Sequence, residues 1–294
     1  MNDLYFRVAD ATFRVHFHDI DDARPLLPSY APFHIKASDQ PLMFEMNVAR
    51  GLVSSEAEGE EVGNFDCGGC NHGIYRTSEG GYKMLISNVD GQLACALRTT
   101  ADFTRCEASL HGSESIMSFG INNALMIAFA FAGASHHILL IHASVPMKDG
   151  KAYCFLGKSG TGKSTHSGLW LEHIADTDLL NDDNPAIRVV DDAVYVYGTP
   201  WSGKTPCYRN LRMAAGGFLR LEQAPANEIR RETKLQGFAS IISSCSSMIW
   251  DKPSYHAICD TVSLVAERVP VYYLRNLPNR EAARLSHATM TGEG

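Results

Sequence analysis

Apolar and polar residues alternate with a period of two over much of the first third of the chain. Tyr5–Val8, Ala11–His18 and Leu42–Val48 carry the pattern, which predicts half-buried strands. Pro25, Pro28, Pro32 and Pro41 break the intervening stretch into loops and edge segments. Gly73–Thr77, Tyr82–Ser87 and Leu93–Arg98 repeat it between the turn signals Ser78-Glu-Gly-Gly81 and Asp90-Gly91, and predict an antiparallel meander. Near residue 115 the pattern changes. Ile121–Gly133 is apolar nearly all round and rich in alanine, which predicts a buried helix stopped by Gly133.

From there strands and helices alternate. Ile138–Val145 and Ala152–Leu156 read as buried strands, Thr165–Ile174 as a helix, and Asp178–Asp183 as an apolar strand end followed by aspartates. Ala186–Val190 and Ala193–Tyr197 flank Asp191-Asp192 as a hairpin. Ala215–Leu221 reads as a strand. Glu228–Trp250 holds at least one helix and Val262–Arg268 ends another. Val269–Leu274 is a last strand and Asn279–Thr289 a last helix. The expected fold class is α/β with mixed α+β character: a β-rich N-terminal domain over 1–115 and an α/β nucleotide-binding domain over 116–294.

The chemistry concentrates at Gly157-Lys-Ser-Gly-Thr-Gly-Lys-Ser164, which fits G-x-x-x-x-G-K-[ST] between a strand and a helix. Gly157, Gly160 and Gly162 let backbone N–H groups turn inward around phosphate oxygens, and the helix presents its positive end. Lys163 supplies a point charge at the β/γ-phosphates, and the Ser164 hydroxyl is placed to ligate Mg²⁺. Lys158, Ser159, Thr161 and Thr165 complete the expected nucleotide contact. Downstream, Asp182 and Asp183 stand where α/β sites sit, at a strand's carboxyl end. One can face the metal, and the other can accept a hydroxyl proton. The loop Gly198–Asn210 is rich in Gly, Pro, Ser, Lys and Arg, and lies on the functional side if it packs near residue 182.

Other patterns carry less. His16 and His18 share a strand face beside Asp19, but no third metal ligand is identifiable, so a polar face is expected. Cys67-Gly-Gly-Cys70, with His72 after it, lacks the second half of a zinc site and reads as a turn. Ser54–Gly63, with four glutamates, reads as a solvated loop or hairpin tip. Over 294 residues the net charge of −7 and 45% hydrophobic content exclude a disordered chain and a broad nucleic-acid footprint. The longest apolar region, Ala124–Ala134, is shorter than the roughly 18–20 residues of a membrane span. Met1–Arg7 lacks the basic and apolar regions of a signal peptide. A cytoplasmic protein with no membrane or nucleic-acid partner is expected, and a homo-oligomer is compatible with the sequence.

From His142 to about Leu285 the chain resembles the catalytic domain of HPr kinase/phosphorylase and its relatives, and the nucleotide core of phosphoenolpyruvate carboxykinase, which shares that fold. The likeness rests on His142 in Ile141-His-Ala-Ser144, fifteen residues before Gly157, on the loop through Thr165, and on Leu180-Asn-Asp-Asp183. It implies an ATP-dependent kinase that moves the γ-phosphoryl of Mg-ATP to a hydroxyl of a small molecule or of a protein serine. It makes Asp183 the proton acceptor, Asp182 its metal-side neighbour, Lys163 and Ser164 the phosphate and magnesium contacts, and His142 an active-site partner. Thr165 stands where HPr kinase has Glu, and Gly198–Lys204 occupies the region of that family's downstream glutamate signature. Arg209 and Arg212 are candidates for its late active-site arginine. A non-catalytic nucleotide-binding regulator and a carboxykinase-type lyase remain as alternatives.

Overall fold

The period-two segments fold as one sheet. The computed structural model describes residues 3–37, 40–66, 71–203 and 205–292, and divides into a unit over 1–133 and a unit over 134–294. The first unit holds β1 (Asp3–Val8), β2 (Ala11–Phe17), β3 (His34–Ile35), β4 (Phe44–Val48), β5 (Glu60–Asp66), β6 (Asn71–Arg76), β7 (Tyr82–Ser87), β8 (Leu93–Thr99) and β9 (Arg105–Leu110), then helix α1 (Glu114–Ala132). They form a nine-stranded sheet in the order β3-β1-β2-β4-β9-β8-β7-β6-β5. The meander is present as β6, β7 and β8. The sheet is mixed, however, because β4 runs parallel to both β2 and β9. Pro25 and Pro28 stand at the starts of short 3-10 turns over 24–26 and 28–33, where proline's fixed φ suits a first turn, and Pro32 lies inside the second.

Helix α1 begins before the apolar run that announces it, and it counts with the first unit rather than with the second. It lies across β8 and β9. A side chain at Gly120 would come within 2.6 Å of the Ala94 carbonyl oxygen, so glycine is what lets the helix backbone sit on β8. Over 114–136 this helix and its 3-10 extension are long and apolar enough to cross a bilayer, which the shorter run seen in sequence does not indicate. Its apolar window is 67% buried in protein, as in a core helix. Glu58, read in sequence as part of a solvated stretch, pairs with the fully buried Lys83 at 3.2 Å and with Arg98 at 2.6 Å.

The second unit contains β10 (Ile138–Leu140), β11 (Ala143–Lys148), β12 (Lys151–Leu156), α2 (Lys163–His173), β13 (Asp178–Asp183), β14 (Ala186–Val190), β15 (Ala193–Tyr197), β16 (Arg212–Gln223), β17 (Glu228–Arg231), α3 (Lys234–Ile242), α4 (Lys252–Arg268), β18 (Val271–Asn276) and α5 (Arg280–Thr291). The sheet runs β10-β14-β15-β16-β12-β11-β13, with β18 on β16 and β17 on β18. β12, β16 and β18 are parallel, so their carboxyl ends share one edge of the unit. Alternation along β12 and β16 sends Cys154, Leu156 and Phe218 to one face with Ile241, Ile258 and Val262 of α3 and α4. Phe155, Leu219 and Leu221 go to the other face with Trp170 of α2 and Ala283 and Met290 of α5. The result is a mixed α/β unit with helices on both faces.

Local chemistry sets the helix starts. Thr233 and Gln236 make a capping box at α3, while Asp251 and Asn279 accept backbone N–H groups at the starts of α4 and α5. Asp191 and Asp192 both take left-handed φ (48° and 64°), the turn that a right-twisted two-residue hairpin requires. Trp170 is fully buried between Tyr153 and Phe155 and donates from Nε1 to Ser286 Oγ at 2.8 Å. Trp170→Ala is expected to lower unfolding free energy by about 3–5 kcal/mol. Urea unfolding checks this, and a loss below about 1 kcal/mol would mean the site collapses around the cavity.

Candidate functional site at the carboxyl end of the parallel strands

The loop leaving β12 turns through three glycines with positive φ: 150° at Gly157, 81° at Gly160 and 97° at Gly162. Gly162 caps α2 in the left-handed region, where a side chain is strained. The helix begins at Lys163, two residues ahead of the predicted start. Its first intrahelical bond runs from the His166 N–H to the Gly162 carbonyl, so the amides before it have no helical partner. Lys163 is 8% exposed, and its ammonium donates to the carbonyls of Gly157 (2.9 Å) and Lys158 (3.3 Å). Thr161 closes the loop by donating from Oγ1 to the Lys158 carbonyl at 2.8 Å. Ser164 and Thr165 are exposed, as are Lys158, Ser159 and Gly160.

The predicted strand over 138–145 is two strands, because the chain changes neighbours midway. β10 pairs with β14, whereas β11 pairs with β12 and β13. At the break Ile141 bridges Cys245, and the His142 N–H donates to the Ser244 carbonyl at 2.7 Å. The break leaves His142 immediately before β11, where register sets Ala143 opposite Asp183. His142 Nδ1 then lies 3.5 Å from Asp183 Oδ1. The aspartates are the last two residues of β13 rather than a turn beyond it.

Burial and mutual fields shift the titration of these groups. Burial pushes the Asp183 carboxyl above its ordinary range, against the pull of His142 and Lys163. Burial lowers the His142 imidazole, and Lys163 lowers it further, against Asp183 and Asp182. Burial also lowers Lys163, with the two aspartates opposing. Lys163, His142, Asp182 and Asp183 therefore share one electrostatic site. Asp182 is 6% exposed and accepts from Ser144 Oγ at 2.6 Å. Asp183 Oδ2 accepts from Asn184 Nδ2 at 2.9 Å.

The loop after β15 packs on these aspartates. Asn181 is fully buried: its Oδ1 accepts the Asp183 N–H (2.9 Å), and its Nδ2 donates to Thr199 Oγ1 (3.1 Å) and to the Trp201 carbonyl (3.2 Å). Ser202 bridges Asp183 in antiparallel fashion, and a Cβ at Gly203 would stand 3.0 Å from the Asp182 carbonyl oxygen. Thr199, Trp201, Ser202 and Gly203 thus join the site. Ser144, Ser167 and Asn181 are further members; Ser144 and Asn181 fall inside the runs Ile141–Ser144 and Leu180–Asp183 without a role of their own there, and Ser167 belongs to no motif.

Other candidates fall away. Arg209 is tied to Asp178 at the opposite end of β13 from Asp183, with Nη2 at 2.8 Å from Oδ1. Arg212 lies over the Tyr195 ring at 4.6 Å. Neither arginine meets Asp183. His16 pairs with Asp3 (2.7 Å) and His18 with Asn47 (3.2 Å), a polar strand face. Cys67 and Cys70 lie outside the described residues; the buried His72 accepts the Ser87 N–H at 3.3 Å. Among the described residues no trio of His, Cys, Asp or Glu can hold a metal.

No family model matches the chain, and no curated protein matches it. Among solved structures it is similar to the Hpr(Ser) kinase/phosphatase from Coxiella burnetii, at 14% sequence identity and a TM-score of 0.31, over 53% of this chain and 99% of that one.

Proposed function

We propose that the chain is an ATP-dependent phosphotransferase of the HPr kinase-related kind, moving a γ-phosphoryl group to a hydroxyl of a small molecule or of a protein serine. The observation that carries this reading is the meeting of His142, Asp183 and Lys163 beside the phosphate loop, with His142 Nδ1 3.5 Å from Asp183 Oδ1. A loop that only binds nucleotide has no use for a half-buried carboxylate base beside its lysine.

In this reading the loop amides and Lys163 hold the phosphates. Asp183 takes the proton of the acceptor hydroxyl as its oxygen bonds to the γ-phosphorus and the bond to the β-phosphate breaks. His142, kept neutral by burial and by Lys163, orients Asp183 without adding a competing positive charge. The donor set fits magnesium. Ser164 offers an exposed hydroxyl and Asp182 a carboxylate, hard oxygen ligands of the kind that leave room for phosphate and water. When bound, that ion neutralises phosphate charge. The segment Thr199–Gly203 walls the acceptor side.

The test is incubation with labelled ATP and Mg²⁺ across a metabolite and peptide panel, alongside calorimetric binding of ATP and ADP. Label on a hydroxyl acceptor is expected. Nucleotide binding without transfer to any acceptor would favour a regulator, and oxaloacetate-dependent turnover a lyase.

A pH profile follows from the charge states. Asp183 must be ionised to accept a proton, and its raised pKa means protonation begins at higher pH than for an ordinary aspartate. On the acid side kcat/KM is expected to fall about tenfold per pH unit, with a midpoint above the ordinary carboxylate range. A midpoint within or below that range would remove Asp183 from this role.

A further inference from the structure

We propose that Ser144 and Ser167 are positioning residues that fix Asp182 as the metal-side carboxylate, an inference that rests on the nucleotide reading above. Three buried polar groups meet between β11, β13 and α2. Ser144 and Ser167 are each 1% exposed and Asp182 is 6% exposed. Ser144 Oγ donates to Asp182 Oδ1 at 2.6 Å, and the two serine oxygens are 2.6 Å apart. A serine hydroxyl has one proton, and an ionised carboxylate only accepts. With the Ser144 proton on Asp182, Ser167 is the donor to Ser144. The relay runs one way, from Ser167 through Ser144 to Asp182.

Its placement gives it a task beyond satisfying buried groups. Ser167 lies on α2 one turn beyond Ser164 and on the same helix face. Asp182 lies on β13, separated from the loop's own strand β12 by β11. The relay ties the helix that carries Ser164 to the strand that carries Asp182, through two serines and an aspartate, all short side chains. It engages Oδ1, and no described residue donates a hydrogen bond to Oδ2. It therefore selects which carboxylate oxygen remains for a ligand, and fixes that oxygen relative to Ser164. Magnesium demands near-ideal octahedral geometry, so it is sensitive to such placement. Groups standing behind a metal ligand typically change affinity about 10–100-fold.

The full-length protein and its Ser144→Ala, Ser167→Ala and double variants are titrated with ADP by calorimetry, in EDTA and at rising Mg²⁺. Mn²⁺ binding followed by EPR reads the ion directly. ADP affinity in EDTA is expected to be unchanged. The Mg²⁺ half-saturation for ADP binding should rise about tenfold or more in Ser144→Ala, and less in Ser167→Ala. The double variant should be no worse than Ser144→Ala, because Ser167 acts only through Ser144. Ser144→Thr, which keeps the hydroxyl, should restore the wild-type response. Thermal melts without metal report folding; if Ser144→Ala does not fold, Ser167→Ala, which leaves the Ser144–Asp182 bond in place, decides the matter. Unchanged Mg²⁺ dependence, or additive losses in the double variant, overturns the relay. Wild-type protein that binds no ADP removes the nucleotide reading and the relay with it. Wild-type binding with indifferent serine variants sinks the relay alone.

Discussion

Lys163→Ala is expected to weaken ATP and ADP binding roughly 30- to 1000-fold, about 2–4 kcal/mol, by removing a buried charge from a phosphate contact. The lysine is 8% exposed and already held against the Gly157 and Lys158 carbonyls. Its rotamer is thus fixed before any ligand arrives, and little of its attraction is lost to ordering. The substitution should spare the fold, since alanine is a better helix former at the start of α2 and the lost hydrogen bonds are to loop carbonyls near solvent. Calorimetry of wild type and variant, with melts in parallel, gives the answer. Wild-type affinity in a folded variant would show that the loop does not bind phosphate through this residue.

Asp183→Asn is expected to bind nucleotide as well as wild type while losing about 10²–10⁴-fold in transfer rate. Asparagine keeps the size of the side chain, and its carbonyl can still accept from Asn184 Nδ2, as Asp183 Oδ2 does at 2.9 Å. What it cannot do is take a proton. The change should fall on kcat and not on nucleotide affinity, and the acid limb of the pH profile should vanish with it. Transfer at the normal rate to the identified acceptor would move the base elsewhere, and His142 would be next to test.

The sequence revealed the parts with strong periodicity or a complete motif. The strands of the meander, the glycine-rich turn between β12 and α2 and the aspartates at the end of β13 all announce themselves locally. It misjudged places where tertiary pairing overrides local pattern. One apolar run, Ile138–Val145, becomes two strands because its halves pair with different neighbours, and that break is what leaves His142 near Asp183. Helix α1 extends well before its apolar run because Gly120 allows close contact with β8. Ser167 was invisible as a site residue, and Ser144 and Asn181 were seen only as parts of longer runs, since a buried serine or asparagine carries no spacing rule; only register shows what it faces. Arg209 failed as a candidate for a related reason, its partner Asp178 being set by a loop whose path no local pattern encodes.

The loop around Trp201 has a second consequence, for solubility. β13 is the last strand in its sheet, and an open strand edge with Leu179 and Leu180 invites pairing with another chain. The loop closes that edge along its length. Ser202 bridges Asp183 at one end, the Cys207 thiol points at the Leu179 and Leu180 carbonyls (3.3 and 3.5 Å), and Arg209 clamps Asp178 at the other. Shortening the loop should therefore expose an aggregation-prone edge. Variants that trade side chains at 202 and 205 while keeping 201, 203, 207 and 209 should stay in solution, because Trp201 is buried.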